Sequence, residues 1–426
     1  MLKRKAVITG MGLITCLGCN VEENWQNLKI GRTGIGHFPD DRLPRAFQYV
    51  GKVGPFTMPP VAPGLSAQVK FLNRGSILGF VAACEAVTQS GFPLANIPPG
   101  RRALYIGSGD LTNIGHEFLH KALAAGSDGR GGLDFTKLNA AMLTDVNPFF
   151  LLESINNNLF SFLSAAFEFR GPNTSLAGLS PCGAQALELA ATCVQQERAD
   201  VALAVGCGSW ITELPLYELD GLGLLSRCRL GAQSFKPFDK FRDGFIPGEG
   251  GAAVFLEAEE VVERRGGAAL ARIAGTGNRI EFAEGFGVPP KVAVCSVRDA
   301  LEASYCRARE LAFVCGHGSA TQKGDRSELN SLLEVFATDG ASVPVCGLKP
   351  YTGHMGAASD LAEIILSLKA VAQGLAPATP NFTVADRESS SLKISGEHQP
   401  CANRNFLSLS YGIADQSSAI VVAVPR

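Results

Sequence analysis

The 426-residue chain is 46% hydrophobic and 18% charged, with 38 Lys+Arg against 40 Asp+Glu and a formal net charge of −2. That length supplies one large domain or two of ordinary size, and the charge balance excludes a dedicated nucleic-acid surface or a polybasic membrane anchor. The 48 Gly and 23 Pro follow no collagen-like period, so disorder, fibre and coiled coil are excluded too.

The opening MLKRKAVITGMG runs from basic residues into Gly and Thr, with no apolar h-region, and predicts no targeting signal. Along the chain no run of about 18 uninterrupted apolar residues predicts a membrane span. What recurs instead is a short apolar run bounded by Gly: AVITGMG (6–12), ALYIGSG (103–109), VALAVGCG (201–208), AAVFLE (252–257), LARIAGTG (270–277), LAFVCGHG (311–318), VPVCGLK (343–349) and AIVVAVP (419–425). Runs this short and this apolar predict strands buried on both faces. Between them, Ala/Leu-rich stretches such as 183–197 and 358–373 predict helices, so the class is α/β. Segment 21–100, richer in loops, predicts an excursion over the surface. The charged stretch EAEEVVERRGG near 258–268 predicts a division into two related α/β halves, 1–258 and 259–426.

Twelve Cys scattered through apolar segments fit a reducing cytosol, where Cys is a small hydrophobe. Cys16 and Cys19 form a CxxC, but no second pair at zinc spacing accompanies it, so packing is expected and no metal.

Three constellations could carry chemistry. In GPNTSLAGLSPCGAQALELAATCV (171–194), Ser180 before Pro181 predicts a helix start, with Ser as N-cap and Pro at the first helical position. The same place suits a nucleophile, because a helix N-terminus favours negative charge. The string Gly178-Leu-Ser180-Pro-Cys182 falls one Gly short of a hydrolase nucleophile elbow. In FVCGHGSATQKGDRSE (313–328), His317 follows a buried-type strand between two glycines. Strand ends of this kind carry functional groups in α/β proteins. In CGLKPYTGHMGAASDLAEI (346–364), His354 repeats that context with Lys349 five residues earlier. One such His alone reads as a structural imidazole; two in the same context point to a site.

On these residues the chain resembles the β-ketoacyl-acyl-carrier-protein synthases. RKAVITGMGLITCLG with NWQNLKIGRTGI is similar to the family's N-terminus. VNPFFLLESINNN (146–158) and RGPNTS (170–175) resemble its approach to the nucleophile, and SFKPFDKFRDGFIPGEGGAAVFLE (234–257) its most recognisable block. GHGSAT…GD…SE and LKPYTGHMGAA resemble its two His motifs. The resemblance implies a thiolase-like fold, two related α/β halves in five α-β-α-β-α layers. It also implies a cytoplasmic protein without cofactor or metal that engages an acyl carrier protein, as a homodimer or as a heterodimer with a Cys-bearing ketosynthase.

The chain departs from that pattern twice. Anchored on Gly171-Pro172-Asn173 and Gly183-Ala184, the family's nucleophilic Cys falls on Ser180, with Cys182 two positions too late. Near the C-terminus LSYGIADQSS (409–418) puts Ile413 at the family's acyl gate, and Ala414 and Asp415 where glycines are expected. By the same resemblance, His317 and His354 would donate hydrogen bonds to a malonyl thioester oxygen as it becomes an enolate, with Lys349 and Glu328 as ionic support behind them. A Ser hydroxyl needs a positioned base that a Cys thiol does not. Three expectations follow: a chain-length-factor-like partner subunit, an enzyme that decarboxylates malonyl-carrier or acylates Ser180, and, least favoured by the motifs, a hydrolase.

Overall fold

The Gly-bounded apolar runs become strands in the computed structural model, which describes residues 4–41, 43–109, 116–146, 148, 158–281, 289–413 and 415–425. The first half runs β1 (Ala6–Ile14), α1 (Val21–Lys29), α2 (Arg74–Ser90), β2 (Arg102–Ser108), β3 (Asn173–Ala177), α3 (Cys182–Gln195), β4 (Val201–Ser209) and β5 (Glu249–Ala258). A short helix, α4 (Glu259–Arg264), follows β5. The second half runs β6 (Ala271–Ile280), α5 (Val294–Ser304), β7 (Leu311–Gly316), α6 (Gln322–Asp339), β8 (Pro344–Gly347), α7 (Ala357–Ala372), β9 (Asn405–Tyr411) and β10 (Gln416–Ala423).

Strand pairing shows the repeat directly. In the first half β1–β5 and β5–β4 are antiparallel, then β4–β2 and β2–β3 parallel. In the second, β6–β10 and β10–β9 are antiparallel, then β9–β7 and β7–β8 parallel. The halves meet through a short antiparallel contact of β1 with β6, Val7 opposite Arg272 and Ile8 opposite Ala271. Helix α2 covers β1 and β5 on one outside and α5 covers β6 and β10 on the other, while α3 and α7 pack together between the halves. This is the five-layered thiolase-like arrangement.

Three elements differ from the sequence reading. Segment 21–100 holds the 17-residue α2, whose core-facing residues are fully buried; Asn73 caps it by accepting from Ser76 N, and Gly91 ends it at φ +57°. Strand β6 alternates buried and half-buried positions instead of burying both faces. Helix α3 begins at Cys182, not Pro181, and Ser180 does not cap it: Pro181 holds the cap position, after a cis Ser180–Pro181 peptide, without a side-chain bond. The first-turn amides of Gly183 and Ala184 donate instead to Asp360 Oδ2, at 3.0 and 3.4 Å. A charged acceptor serving two amides is a stronger cap than a neutral hydroxyl.

The close approach of α7 to α3 depends on missing side chains. A Cβ on Gly183 would lie 2.1 Å from the Ala357 carbonyl oxygen, and one on Gly206 of β4 2.4 Å from the same atom. Both distances are far inside contact, so glycine there lets α7 sink in and carry Asp360 to the start of α3.

Candidate active site

The loops leaving β3, β7, β8 and β9 converge on one cavity, whose walls include Ser180, Trp210, Phe245, His317, His354 and Ile413. The sequence reading thus places Ser180 and both histidines on one pocket, and the structure brings them together there. The imidazoles of His317 and His354 lie 5.1 Å apart, centroid to centroid, nearly edge to face. Tyr411 packs on His317 at 4.2 Å; Trp210 stacks on His354 at 4.8 Å, with Phe245 at the same distance. These aromatic walls carry no motif and are not read from the sequence.

Hydrogen bonds fix which nitrogen of each ring carries the proton. His354 Nδ1 accepts from Gly356 N at 3.2 Å. His317 Nδ1 lies 3.3 Å from Lys349 Nζ, an ammonium that can only donate. In the neutral ring the proton then belongs on Nε2. Burial holds both rings well below the usual histidine value; the Lys349 charge adds to this in each, and His354 adds to it in His317. The pair is neutral, with two Nε2–H donors.

Behind the rings, Lys349 is fully buried. Its Nζ reaches Glu363 Oε1 at 2.9 Å and Oε2 at 3.0 Å and donates to the His317 carbonyl at 2.6 Å. Its direct ion pair is with Glu363. Burial pushes the Glu363 carboxyl up, and Lys349 draws it part of the way back. Glu328, on α6, braces the histidine loop through its backbone: Oε1 accepts the His317 amide at 2.6 Å and Oε2 the Gly318 amide at 3.0 Å. The same loop is held by Asp325, which accepts Ala320 N at 2.9 Å and Phe238 N at 2.7 Å. Phe238 belongs to the 234–257 block, so that block locks the histidine loop in place.

Burial, with Asp325 adjoining, pushes the Glu328 carboxyl up to about 8 from an ordinary 4.5. A value raised on folding stabilises fully below the unfolded value and is lost as pH rises through the folded one. Wild type should therefore lose more stability than Glu328→Gln between about pH 5 and 8, by on the order of 1 kcal/mol or more. Urea unfolding of both proteins across that range checks it; parallel curves would contradict it.

Ser180 is buried at the cavity wall, and its hydroxyl donates to Asp360 Oδ1 at 2.7 Å, with the Gly356 carbonyl at 3.4 Å. Burial pushes the Asp360 carboxyl up to about 6, against the bonds from Ser180, Ser410 and Ala184 and the charge of Lys349. Cys182 offers no substitute nucleophile. Its thiol donates back to the Gly178 carbonyl at 3.0 Å, and burial and Asp360 push it well above the usual thiol range.

Ile413, expected at the acyl gate, is exposed and lines the cavity. The loop packs so tightly that a Cβ on Gly412 would lie 2.4 Å from the Ser180 carbonyl. Asp415 takes a left-handed φ of +63°, a conformation Asp tolerates better than most residues. Ala414 lies outside the described residues. Of the CxxC, Cys16 donates to the Thr352 carbonyl at 3.3 Å, Cys19 to the Pro55 carbonyl at 3.8 Å, and neither is in a disulfide. Among the described residues no group of three metal-type side chains comes together, and no helix is long and apolar enough to cross a membrane.

Comparison with known proteins fits this geometry. The family model for the beta-ketoacyl synthase N-terminal domain matches residues 3–261, and that for the C-terminal domain residues 271–383. The 3-oxoacyl-[acyl-carrier-protein] synthase 2 of Coxiella burnetii is 26% identical over 444 aligned positions, covering 99% of each chain. The tetracenomycin polyketide synthase ketoacyl synthase alpha subunit of Streptomyces glaucescens is 27% identical over 435, covering 100% of this chain and 98% of that one. In fold, the chain is similar to the ishigamide ketosynthase/chain length factor, at TM-score 0.84 and 20% identity over 100% of both chains. It is equally similar to a beta-ketoacyl synthase from Burkholderia phymatum, at TM-score 0.84 and 23% identity over 99% of this chain and 100% of that one.

Proposed function

The chain belongs to the β-ketoacyl synthase family, and from that premise we propose that it decarboxylates a malonyl thioester presented by an acyl carrier protein. In this reading it is a chain-length-factor-like partner of a Cys-bearing synthase in cytoplasmic fatty-acid or polyketide-type elongation. One observation carries the proposal: two neutral imidazoles with their Nε2 protons free for the cavity, beside a nucleophile position that holds a serine bonded to a carboxylate.

The chemistry follows from those donors. As the malonyl carboxylate leaves as CO₂, the bonding pair moves into the thioester carbonyl and its oxygen becomes an enolate. His317 and His354 are placed to donate to that oxygen, which stabilises charge present only beyond the ground state. A proton from solvent then adds to the carbanion carbon and gives an acetyl thioester, a starter unit that a Cys-bearing partner could load.

The partner surface in this proposal is the segment around 146–175, of which 147 and 149–157 lie outside the described residues. It leads into β3, a half-exposed strand at the sheet edge that runs directly toward Ser180. A two-fold interface there would let each subunit influence the other's pocket.

The test is incubation of the purified chain with malonyl-carrier protein, followed by intact mass of the carrier. Conversion to acetyl-carrier is expected, and condensation only when a Cys-bearing sister is added. No decarboxylation, alone or with the sister, would overturn the reading. A second reading, that Ser180 itself accepts the acyl group, has one observation in its favour: a carboxylate lies 2.7 Å from its hydroxyl.

A further inference from the structure

The carboxylate beside Ser180, Asp360, comes from the first turn of α7, and it is fully buried. Its two oxygens divide the work. Oδ1 accepts the Ser180 hydroxyl at 2.7 Å; Oδ2 accepts the Gly183 amide at 3.0 Å and the Ala184 amide at 3.4 Å. Those amides are the first-turn donors of α3, the groups that would otherwise favour negative charge on the side chain at 180. The site is built for this contact, because Gly183 and Gly206 are what allow α7 so close.

We infer that Asp360, and not the identity of residue 180 alone, closes the acyl-transfer route: it is a fixed internal anion that takes the first-turn amides of α3 and sets its own charge against any anionic nucleophile at position 180. The inference deepens the non-acylating reading proposed above and rests on it. A serine thus meets two obstacles, its own weak acidity and an adjacent carboxylate. A thiol placed there would still meet the second.

The opposite role, Asp360 as a base for Ser180, fits the surroundings less well. A general base is effective when little else competes for its lone pairs. Here the carboxylate already accepts from Ser180, Ser410 and two amides, and each of those bonds stabilises the charged form. The other charged or titratable groups facing this point are Lys349, Glu363 and Cys182, each of which interacts electrostatically with Asp360, and the neutral His317 and His354.

The experiment compares the full-length wild type with Ser180→Cys, Ser180→Cys/Asp360→Asn, Ser180→Cys/Asp360→Ala and Asp360→Asn. Asn keeps the shape of the side chain and an acceptor for the amides but removes the charge; Ala frees the amides as a second route should Asn disturb folding. Alkylation by iodoacetamide across pH, located by peptide mass, gives the ionisation of the introduced thiol apart from the native cysteines. Acylation is read by intact mass with an acyl-carrier thioester. In that step the introduced sulfur bonds to the carbonyl carbon, the C–S bond to the carrier breaks, and the carrier thiol leaves with a proton from solvent.

In the single variant the thiol should titrate above the ordinary value of about 8.5, and removal of the Asp360 charge should lower it by 1–2 units, a gain of about 10–100-fold in thiolate at neutral pH. Acylation should rise with it. The inference is overturned if the single variant titrates at or below the ordinary value, if removing Asp360 leaves the titration unmoved, or if wild-type Ser180 is acylated and Asp360→Asn abolishes it, which would make Asp360 the base. A shifted titration without acylation still supports it and moves the remaining obstruction to the loop at Ile413. Malonyl decarboxylation, measured on the same preparations, reports separately on the proposed function.

Discussion

Replacing either His317 or His354 with alanine should lower malonyl-carrier decarboxylation by about 10²–10³-fold, the usual cost of one donor to a developing oxyanion. The expectation follows from protonation state as much as from position. Both rings are neutral and both present Nε2–H, because Gly356 N occupies one Nδ1 and Lys349 the other. A donor that matters only as charge builds on the thioester oxygen should appear in kcat and leave KM near wild type. His317→Gln and His354→Asn, which keep a donor, should recover part of the loss. Steady-state release of CO₂ from malonyl-carrier protein checks this, and a double alanine variant that still decarboxylates at the wild-type rate would remove the histidines from the reaction.

The histidines were legible because each follows a Gly-bounded apolar run, and buried parallel strands write themselves as such runs. Strand β3 was not, since NTSLA at a half-exposed sheet edge carries little apolar signal. Strand β9, NFLSLSY, alternates with serine yet is buried nearly throughout, and its Ser410 hydroxyl bonds the buried Asp360. The acidic residues of α7 were hidden for a related reason. In ASDLAEIILSLKAVA, Asp360 and Glu363 stand one turn apart, the pattern of a solvated helix face, whereas α7 lies in the central layer and is buried except at Lys369 and Ala372. No local rule separates those cases; only the packing of two sheet halves around α7 does. Ser180 was misread by the same omission, since Ser-Pro before an Ala/Leu run is a good cap until a carboxylate from another helix takes the amides.

Glu363 gives the second large effect. Lys349→Met should destabilise the protein by about 3–5 kcal/mol, the cost of stripping one partner from a buried ion pair. Lys349 and Glu363 are both almost wholly inaccessible, and two contacts at 2.9 and 3.0 Å hold them together. Loss of the ammonium leaves the carboxylate without its counter-charge, and burial already pushes that carboxyl up; protonation of Glu363 will therefore relieve part of the cost and place the result toward the lower end. Lys349→Met/Glu363→Leu should then recover most of the stability, because a well-packed apolar pair avoids the desolvation that the ions incur. Activity should not return with it. His317 would lose the donor at its Nδ1, its tautomer would no longer be fixed, and the Nε2–H aimed at the enolate would be present only part of the time. Urea unfolding and decarboxylation measured on the same three proteins separate these roles. A double variant restored in stability yet poor in catalysis places Lys349 as the group that orients His317, whereas recovery of both would reduce the pair to a packing element.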